Sequence, residues 1–596
     1  MKDRNKNITV IGLVLEDIFA DFSKELISNV RNAIPDHEHI RLVVLPGRYY
    51  NPEIPSEIHD YNRIYNSVFE AGEICDFDGF IVHIGNLSTS RSHTIDESLV
   101  ADFKKVPSVF IATNIENVTT VNYDNEAGIR EAVECLVNIN GLSRLCMLGG
   151  RSDNFDSILR KEIFIRCLEE NGIRFSEENF IHTDMSFNCV AEATELLEKN
   201  PHVQAIFCVN DAAAKGLYTA MAAKGLVPGR DILVFGFDNT MMSTELIPSL
   251  SSIGCDRTTL GQKALELLLK KMNGEKAESA MIQTRLYGRE SFDYEMYDYT
   301  VQELTEVNPA FIYRMFDDCF YRYRTEQISR ENVNLRRLFV EFITKMLQAQ
   351  KNRYMSPETF QEISRLIRIF FEKGAMKYTD PPKLLKSIER LQAGVNFVMP
   401  NVMLNRLFSE MKDQAIHAIS NSSIRETGDL LESRIMMKDY LIAGMMQTGR
   451  TEFSREKALR AVSRLGLQNA ALFMFEEPVC YHPEQKTVYP KTIRLCCVMK
   501  GGNIFYIDSK RQSCPISGIF YRHELSSKCS SFALFPVFYA DKIYGYLLCG
   551  LTNDIFNSGE YIALLIGQNF YISDLHQRML RAADTPADRQ HPAGQF

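Results

Sequence analysis

Ala205-Ile206-Phe207-Cys208-Val209-Asn210-Asp211 is a run of five apolar residues that ends on two polar ones, and helical spacing follows it over Asp211–Lys224. A run this short, rich in β-branched and aromatic residues, reads as a buried strand and not as a helix. The same alternation extends in both directions. Short apolar runs stand at Ile8–Leu15, Ile40–Leu45, Gly79–Ile84, Ser108–Ala112, Arg144–Leu148 and Ile232–Phe235. Helical patterns lie between them, as at Asn125–Ile139, Ser157–Asn171 and Leu260–Asn273. Strands that alternate with helices imply parallel sheets. Gly172, Gly225 and Gly274 follow helical stretches, where a left-handed cap is needed. Residues 1–292 are many for one open sheet, so the expected architecture is two α/β lobes.

Beyond residue 292 the texture changes twice. Residues 293–429 lose the short runs, and Ile328, Leu335, Phe339, Phe342 and Met346 share one helical face. Glu331 and Lys345 interrupt a strict heptad seam, which leaves a packed helical domain or a short dimer helix. Asp380-Pro381-Pro382 marks a break, and Asn401–Ser420 is helical again. Residues 430–583 read as an α+β module. A helix at Ser433–Thr448 leads into strands at Asn469–Phe475, Ile493–Val498, Asn503–Ile507, Ser531–Phe538 and Lys542–Leu551, with a long helix at Ser558–Met579. Ala540-Asp541 is a two-residue polar hairpin. Residues 584–596 are expected to be a disordered tail.

Composition narrows the function. The chain has 596 residues, 45% hydrophobic and 24% charged, with a net charge of −9. That excludes a broadly basic nucleic-acid binder and a disordered chain. The arginines at 322, 324, 330, 336 and 337 are diluted by Glu326 and Glu331, which suits a solvated face. The first apolar run is broken by Glu16 and Asp17, and no 18-residue apolar span exists, so a cytoplasmic protein outside the membrane is expected. The 14 cysteines match no zinc spacing and many sit in apolar runs, as buried thiols do; no metal or cofactor is expected. Phosphate-loop, dinucleotide, zinc-protease and nucleophile-elbow motifs are absent, so no enzyme activity is expected.

Ligands of open α/β sheets sit outside the carboxyl ends of the strands. Asn210 and Asp211 follow one strand and Asp238 follows another. Asn supplies donor and acceptor, Asp two acceptors, and Arg160 a planar donor fork, a set suited to a small polar ligand. Competing structural roles remain open. Asp211 suits a helix cap, with Asn210 shaping the turn, Asp124 also suits a cap, and Arg160 suits a solvated helix face.

The ordered set Val121-Asn122-Tyr123-Asp124-Asn125-Glu126-Ala127-Gly128, Arg160-Lys161-Glu162-Ile163-Phe164, Ala205–Asp211, Phe235-Gly236-Phe237-Asp238-Asn239 and Arg289-Glu290-Ser291 resembles the effector-binding core of LacI/GalR regulators. That resemblance implies the type I periplasmic-binding-protein-like fold and an effector pocket lined by Asp124, Arg160, Asn210 and Asp238. It also implies contacts from the loop after the first strand, with Asp17 and Phe19, and from Met185, which stands where the family often has a stacking aromatic; Phe187 is a substitute. Ile163 stands where the family prefers Gly. Such regulators begin with a helix-turn-helix headpiece, and only seven residues precede the first strand here, so direct DNA binding is not expected. The 430–583 region resembles a GAF-type sensor by element order. The expected protein is a ligand sensor that takes a small polar molecule, a sugar or nucleoside, forms a homodimer and relays lobe closure through the helical region to the C-terminal module or an output partner. The alternatives are a transcriptional regulator acting on DNA and the input part of a diguanylate cyclase that lacks its GGDEF output.

Overall fold

The computed structural model describes residues 8–16, 18, 21–34, 39–48, 59–83, 97–113, 115–152, 154–255, 257–292, 303–304, 307–320, 323, 334–379, 381–421, 428, 467–482, 487–525 and 531–584. The first five strands are β1 (Thr9–Leu15), β2 (Ile40–Pro46), β3 (Gly79–His83), β4 (Ser108–Ile111) and β5 (Thr119–Asp124). They pair in parallel in the order β2-β1-β3-β4-β5. β6 (Leu145–Leu148), β7 (Phe180–Ile181), β8 (Ala205–Cys208), β9 (Leu233–Phe237) and β10 (Ser251–Cys255) form a second parallel sheet, β7-β6-β8-β9-β10. Two sheets with separate apolar cores are the two lobes the alternation implied. Gly172, Gly225 and Gly274 take φ of +75°, +71° and +77°, as the helix caps require.

The chain crosses between the lobes at three places. Asp124 passes from β5 into the lobe 2 helix Asn125–Glu134, and Cys255 leads from β10 to the lobe 1 helix Arg257–Met272. The third crossing is one strand, β11 (Ala280–Tyr287). Its first half pairs with β5 and its second half with β10. Thr284 pins the crossing: its hydroxyl donates to the Asp124 carbonyl at 2.5 Å and accepts from the Gly128 N–H at 3.0 Å. β5, β10 and β11 carry no long apolar run, which is why the sequence reading missed them.

Helices Pro309–Cys319, Leu335–Asn352, Pro357–Glu372, Pro381–Val398 and 402–421 form a third domain with its own core. Leu335, Phe339, Phe342 and Met346 are buried together as their spacing predicted; Ile328 lies outside the described residues. The expected helix at 433–448 and residues 585–596 of the tail also lie outside them.

The C-terminal module is an antiparallel sheet of β12 (Ala470–Cys480), β13 (Thr492–Lys500), β14 (Asn503–Tyr506), β15 (Ser513–Pro515), β16 (Ser531–Tyr539) and β17 (Lys542–Gly550). β13 carries β14 and β15 on one side, and the order runs on β13-β12-β17-β16. The hairpin falls at Ala540-Asp541, with Ala540 at φ +49°. The helix Asn553–Asp584 lies on β16 and β17. Gly567 lets it approach closely, since a Cβ there would stand 2.1 Å from the Phe538 carbonyl oxygen.

The sequence reading kept this module separate from the first lobe. The structure joins them. β16 pairs in parallel with β2, Ser531 opposite Leu42 and Ala533 opposite Val44, so the two sheets are continuous. One apolar core runs through both. Phe77 packs against Phe520 at 5.0 Å, the Asp76 N–H donates to the Ser517 carbonyl at 2.8 Å, and the Tyr521 hydroxyl donates to Asp78 at 3.0 Å. Arg41 donates to the Phe520 carbonyl. Parallel strand pairing normally follows a crossover connection of a dozen or more residues. Here it closes a loop that contains all of lobe 2 and the helical domain, so periodicity alone did not reveal it.

Candidate functional site

The second sheet ends in a polar cluster centred on Arg160. The helix Phe155–Glu170 starts at the Asn154 cap and projects Arg160 inward, where the residue is only 2% exposed. Its Nε donates to Asn125 Oδ1 at 3.1 Å, Nη1 to the Val209 carbonyl at 2.8 Å, and Nη2 to Asp238 Oδ1 at 3.4 Å. The guanidinium carbon lies 3.6 Å from the centroid of Phe237. The solvated-face alternative for Arg160 is therefore wrong: a charge this deep has to be hydrogen-bonded and paired. Asn125 extends the network through its Nδ2 to Asp156 Oδ1 at 3.1 Å. Burial pushes the Asp156 carboxyl upward, and nearby Arg160 opposes that shift.

Asp238 follows β9 in a left-handed conformation, φ +96°, and its side chain stays 25% exposed. Asn210 and Asp211 exchange the roles their sequence suggested. Asn210 is the helix cap: its Oδ1 accepts from the Ala213 N–H at 2.8 Å, and its Nδ2 donates to the Met185 carbonyl at 2.9 Å. Asp211 is not the cap but a buried acceptor one layer down, 1% exposed. It accepts the Thr240 N–H at 2.7 Å, the Thr240 hydroxyl at 2.9 Å and the Ser252 hydroxyl at 2.5 Å. Burial, with the like charge of Asp238, raises its carboxyl to about 7 despite these donors.

Asp124 stands at a crossing between the lobes and acts as a helix cap. It accepts from the Glu126 and Ala127 N–H groups as a cap, and from the Gln283 side chain at 2.9 Å. Its neighbour Asn125 is the residue that reaches Arg160. Met185, at φ +66°, borders Gly150 and the Asn210 amide. Phe187 is 51% exposed, with Lys215 Nζ 5.1 Å from its ring centroid. Asp17 and Phe19 lie outside the described residues. Ile163 is buried in the lobe 2 core, where it is accommodated.

Lobe 1 supplies a group that sequence reasoning missed. His83 ends β3; its ring centroid is 4.7 Å from that of Phe22, and Phe22 in turn meets Tyr123 edge-on at 6.5 Å. His83 Nδ1 is buried without a hydrogen-bond partner among the described residues. Burial lowers the imidazole to about 4, while Asp238 of the other lobe acts against that shift. The signal for it was the run Gly79–Ile84 itself, read only as a strand and not for what its end presents. Among the described residues no group of three or more His, Cys, Asp or Glu side chains could hold a metal. No helix of the described residues is long and apolar enough to cross a membrane.

A family profile described as a periplasmic binding protein-like domain matches residues 139–292. Catabolite control protein A of Priestia megaterium is 26% identical over 284 residues, which are 47% of this chain and 80% of that protein. The HTH-type transcriptional repressor PurR of Pasteurella multocida is 27% identical over 207 residues, 33% of this chain and 60% of that protein. The HTH-type transcriptional regulator CelR of Thermobifida fusca is 26% identical over 212 residues, 34% and 62% respectively. The chain thus spans about 60% of the PurR and CelR relatives. Among solved structures, a sugar-binding LacI-family regulator from Enterococcus faecalis aligns at 25% identity over 49% of this chain and all of that one, with a TM-score of 0.39. These relatives are named as control proteins, regulators or repressors, not as enzymes, in line with the expectation of no catalysis. The chain therefore carries a periplasmic-binding-protein-like domain of the kind found in LacI/GalR regulators.

Proposed function

We propose that this protein is a ligand-responsive regulator whose effector is a small, uncharged, hydroxyl- or amine-bearing molecule held between the lobes, a sugar or nucleoside being the natural class. The observation that carries this reading is the Arg160 network facing His83. Three of the five guanidinium donors are already committed within the protein. Asp238 and Asp156 stand beside them as acceptors, so the wall offers acceptors to a ligand more readily than donors. An anionic ligand gains little there; one that donates hydrogen bonds gains most. Phe22, His83 and Tyr123 supply an aromatic cluster opposite, with Tyr123 edge-on to Phe22. Closure on the ligand then rotates lobe 2 about the crossings at 124, 255 and 283–284.

The C-terminal module, GAF-like in its element order, travels with lobe 1, because their sheet is continuous. The signal is accordingly a change in the position of lobe 2 relative to a fixed lobe 1–module body, in place of a relay through the helical domain. The relatives' names favour transcription as the process regulated. A thermal-shift and calorimetry screen tests the effector: neutral sugars and nucleosides should raise the melting temperature, and their phosphorylated forms should raise it less. A stronger response to the phosphorylated set would overturn the proposed ligand chemistry. DNA binding whose affinity falls steeply with salt is the expected result if the chain itself acts on an operator.

A further inference from the structure

Helix 402–421 buries Leu404, Leu407, Phe408, Met411 and Ala415 in the helical domain. Its other face is exposed at Val402, Arg406, Ser409, Asp413, Ile416 and Ser420. The steps along this face alternate between four and three residues, which is the spacing of a helix-pairing seam. Any amphipathic helix has a solvent face with such spacing, but three features set this one apart. Aliphatic residues stand at both ends, Val402 at 77% and Ile416 at 52% exposure. Between them lie one cation and one anion. Arg406 stacks over Phe360 at 5.3 Å, yet neither it nor Asp413 has an ion-pair partner among the described residues. At the centre stands a small residue, Ser409. A groove of 560 Å³ runs along this face, bounded by Val402, Arg406, Ser409, Asp413 and His417.

We propose that this face is the contact between two copies of the chain, paired antiparallel about a twofold axis that passes at Ser409. The face is complementary to itself in that arrangement. Val402 meets Ile416 of the other copy, Arg406 meets Asp413, and both contacts occur twice. Ser409 against Ser409 lets the helices approach closely. Isologous pairing of this kind is the commonest route to a homodimer. Phe397, 82% exposed and one short connection before Val402, extends the apolar end of the contact. A single helix pair buries less than the roughly 800 Å² per partner of a standard interface, so association in the micromolar range is expected. The inference is independent of what the cleft binds.

Sedimentation velocity on the full chain over a concentration series tests it. The wild type should pass from monomer to dimer in the micromolar range. Arg406→Asp and Asp413→Arg, each placing like charges in contact twice, should weaken dimerisation at least tenfold while each monomer stays folded, Arg406→Asp alone giving up the stack on Phe360 and melting slightly lower. The double variant R406D/D413R restores opposite charges and should return to within about threefold of the wild-type constant. A wild type that stays monomeric at 50-fold higher concentration, on the order of 100 µM, overturns the proposal. So do single variants that dimerise as the wild type does, or a folded double variant that fails to recover.

Discussion

Arg48 and Glu560, 512 residues apart, meet as a forked ion pair: Arg48 Nε lies 3.2 and 3.1 Å from the two carboxylate oxygens and Nη2 lies 2.8 Å from Oε2. Tyr61 donates to the same carboxylate. Glu560 is 6% exposed and Arg48 27%, so the pair is shielded but not fully dry.

Glu560→Gln should therefore loosen the junction of lobe 1 with the C-terminal module. Loss of the anion leaves Arg48 half-paired, and with its partial exposure the expected cost is about 2 kcal/mol. Hydrogen exchange gives the sharper readout. The amides around Val43 and Phe532 should lose protection together, because they pair in one sheet. Independent behaviour of the two strands would contradict a shared body.

His83 should make the protein less stable on the acid side. Its folded imidazole titrates near 4, below the ordinary 6.5, so the folded state takes up a proton less readily than the unfolded chain. Stability from this group is complete above pH 6.5 and is lost as the pH falls toward 4. His83→Gln should flatten that part of a melting-temperature profile; an unchanged slope would count against the burial of the ring.

Asp211 should act with the opposite sign. Its folded carboxyl titrates near 7, above the ordinary 3.8, so the folded state holds the proton more tightly. Stability is greatest below about 4 and falls as the pH rises to 7, by an amount on the order of 4 kcal/mol. The two slopes overlap between pH 4 and 6.5 and partly cancel in the wild type. Asp211→Asn should expose the uncancelled histidine slope, with the melting temperature rising with pH over that interval.

Asp238→Asn and Arg160→Lys should separate ligand binding from folding. Asp238 is partly exposed, and Asn tolerates its left-handed backbone, so the first change should leave stability within about 1 kcal/mol. Effector affinity should fall roughly 10- to 100-fold, the cost of an unmatched donor. Arg160→Lys removes the fork that joins Asn125, Val209 and Asp238, and should destabilise lobe 2 by about 2–4 kcal/mol. Calorimetric affinity beside denaturant midpoints distinguishes the two effects.

Much of this molecule was legible in its sequence for a physical reason. Strands buried on both faces, such as Ile8–Leu15 and Ala205–Val209, must be continuously apolar, and they announce themselves. Arg160 and Asp238 could be singled out because an acceptor just past a strand end and a planar donor fork suit one another, and the structure pairs them. The misreadings arose where two residues compete for one local role. Asn210 and Asp211 both suit a cap, and only the placement of Thr240 and Ser252 decides which is buried. Asp124 and Asn125 divide their roles in the same way, Asp124 capping the helix and Asn125 reaching Arg160. His83 was legible only as the polar end of a strand, and the β2–β16 contact was not legible at all, since it depends on a partner far along the chain.

The pairing of β2 with β16 also sets an order of assembly. During synthesis β2 leaves the ribosome long before Ser531 does, and at roughly 5–20 residues per second the wait is on the order of a minute. Throughout that interval the first lobe has an open, apolar sheet margin, the kind that recruits stray strands. A polypeptide cut short before Ser531 would keep that margin permanently, so premature termination is expected to yield aggregates in place of a working N-terminal half.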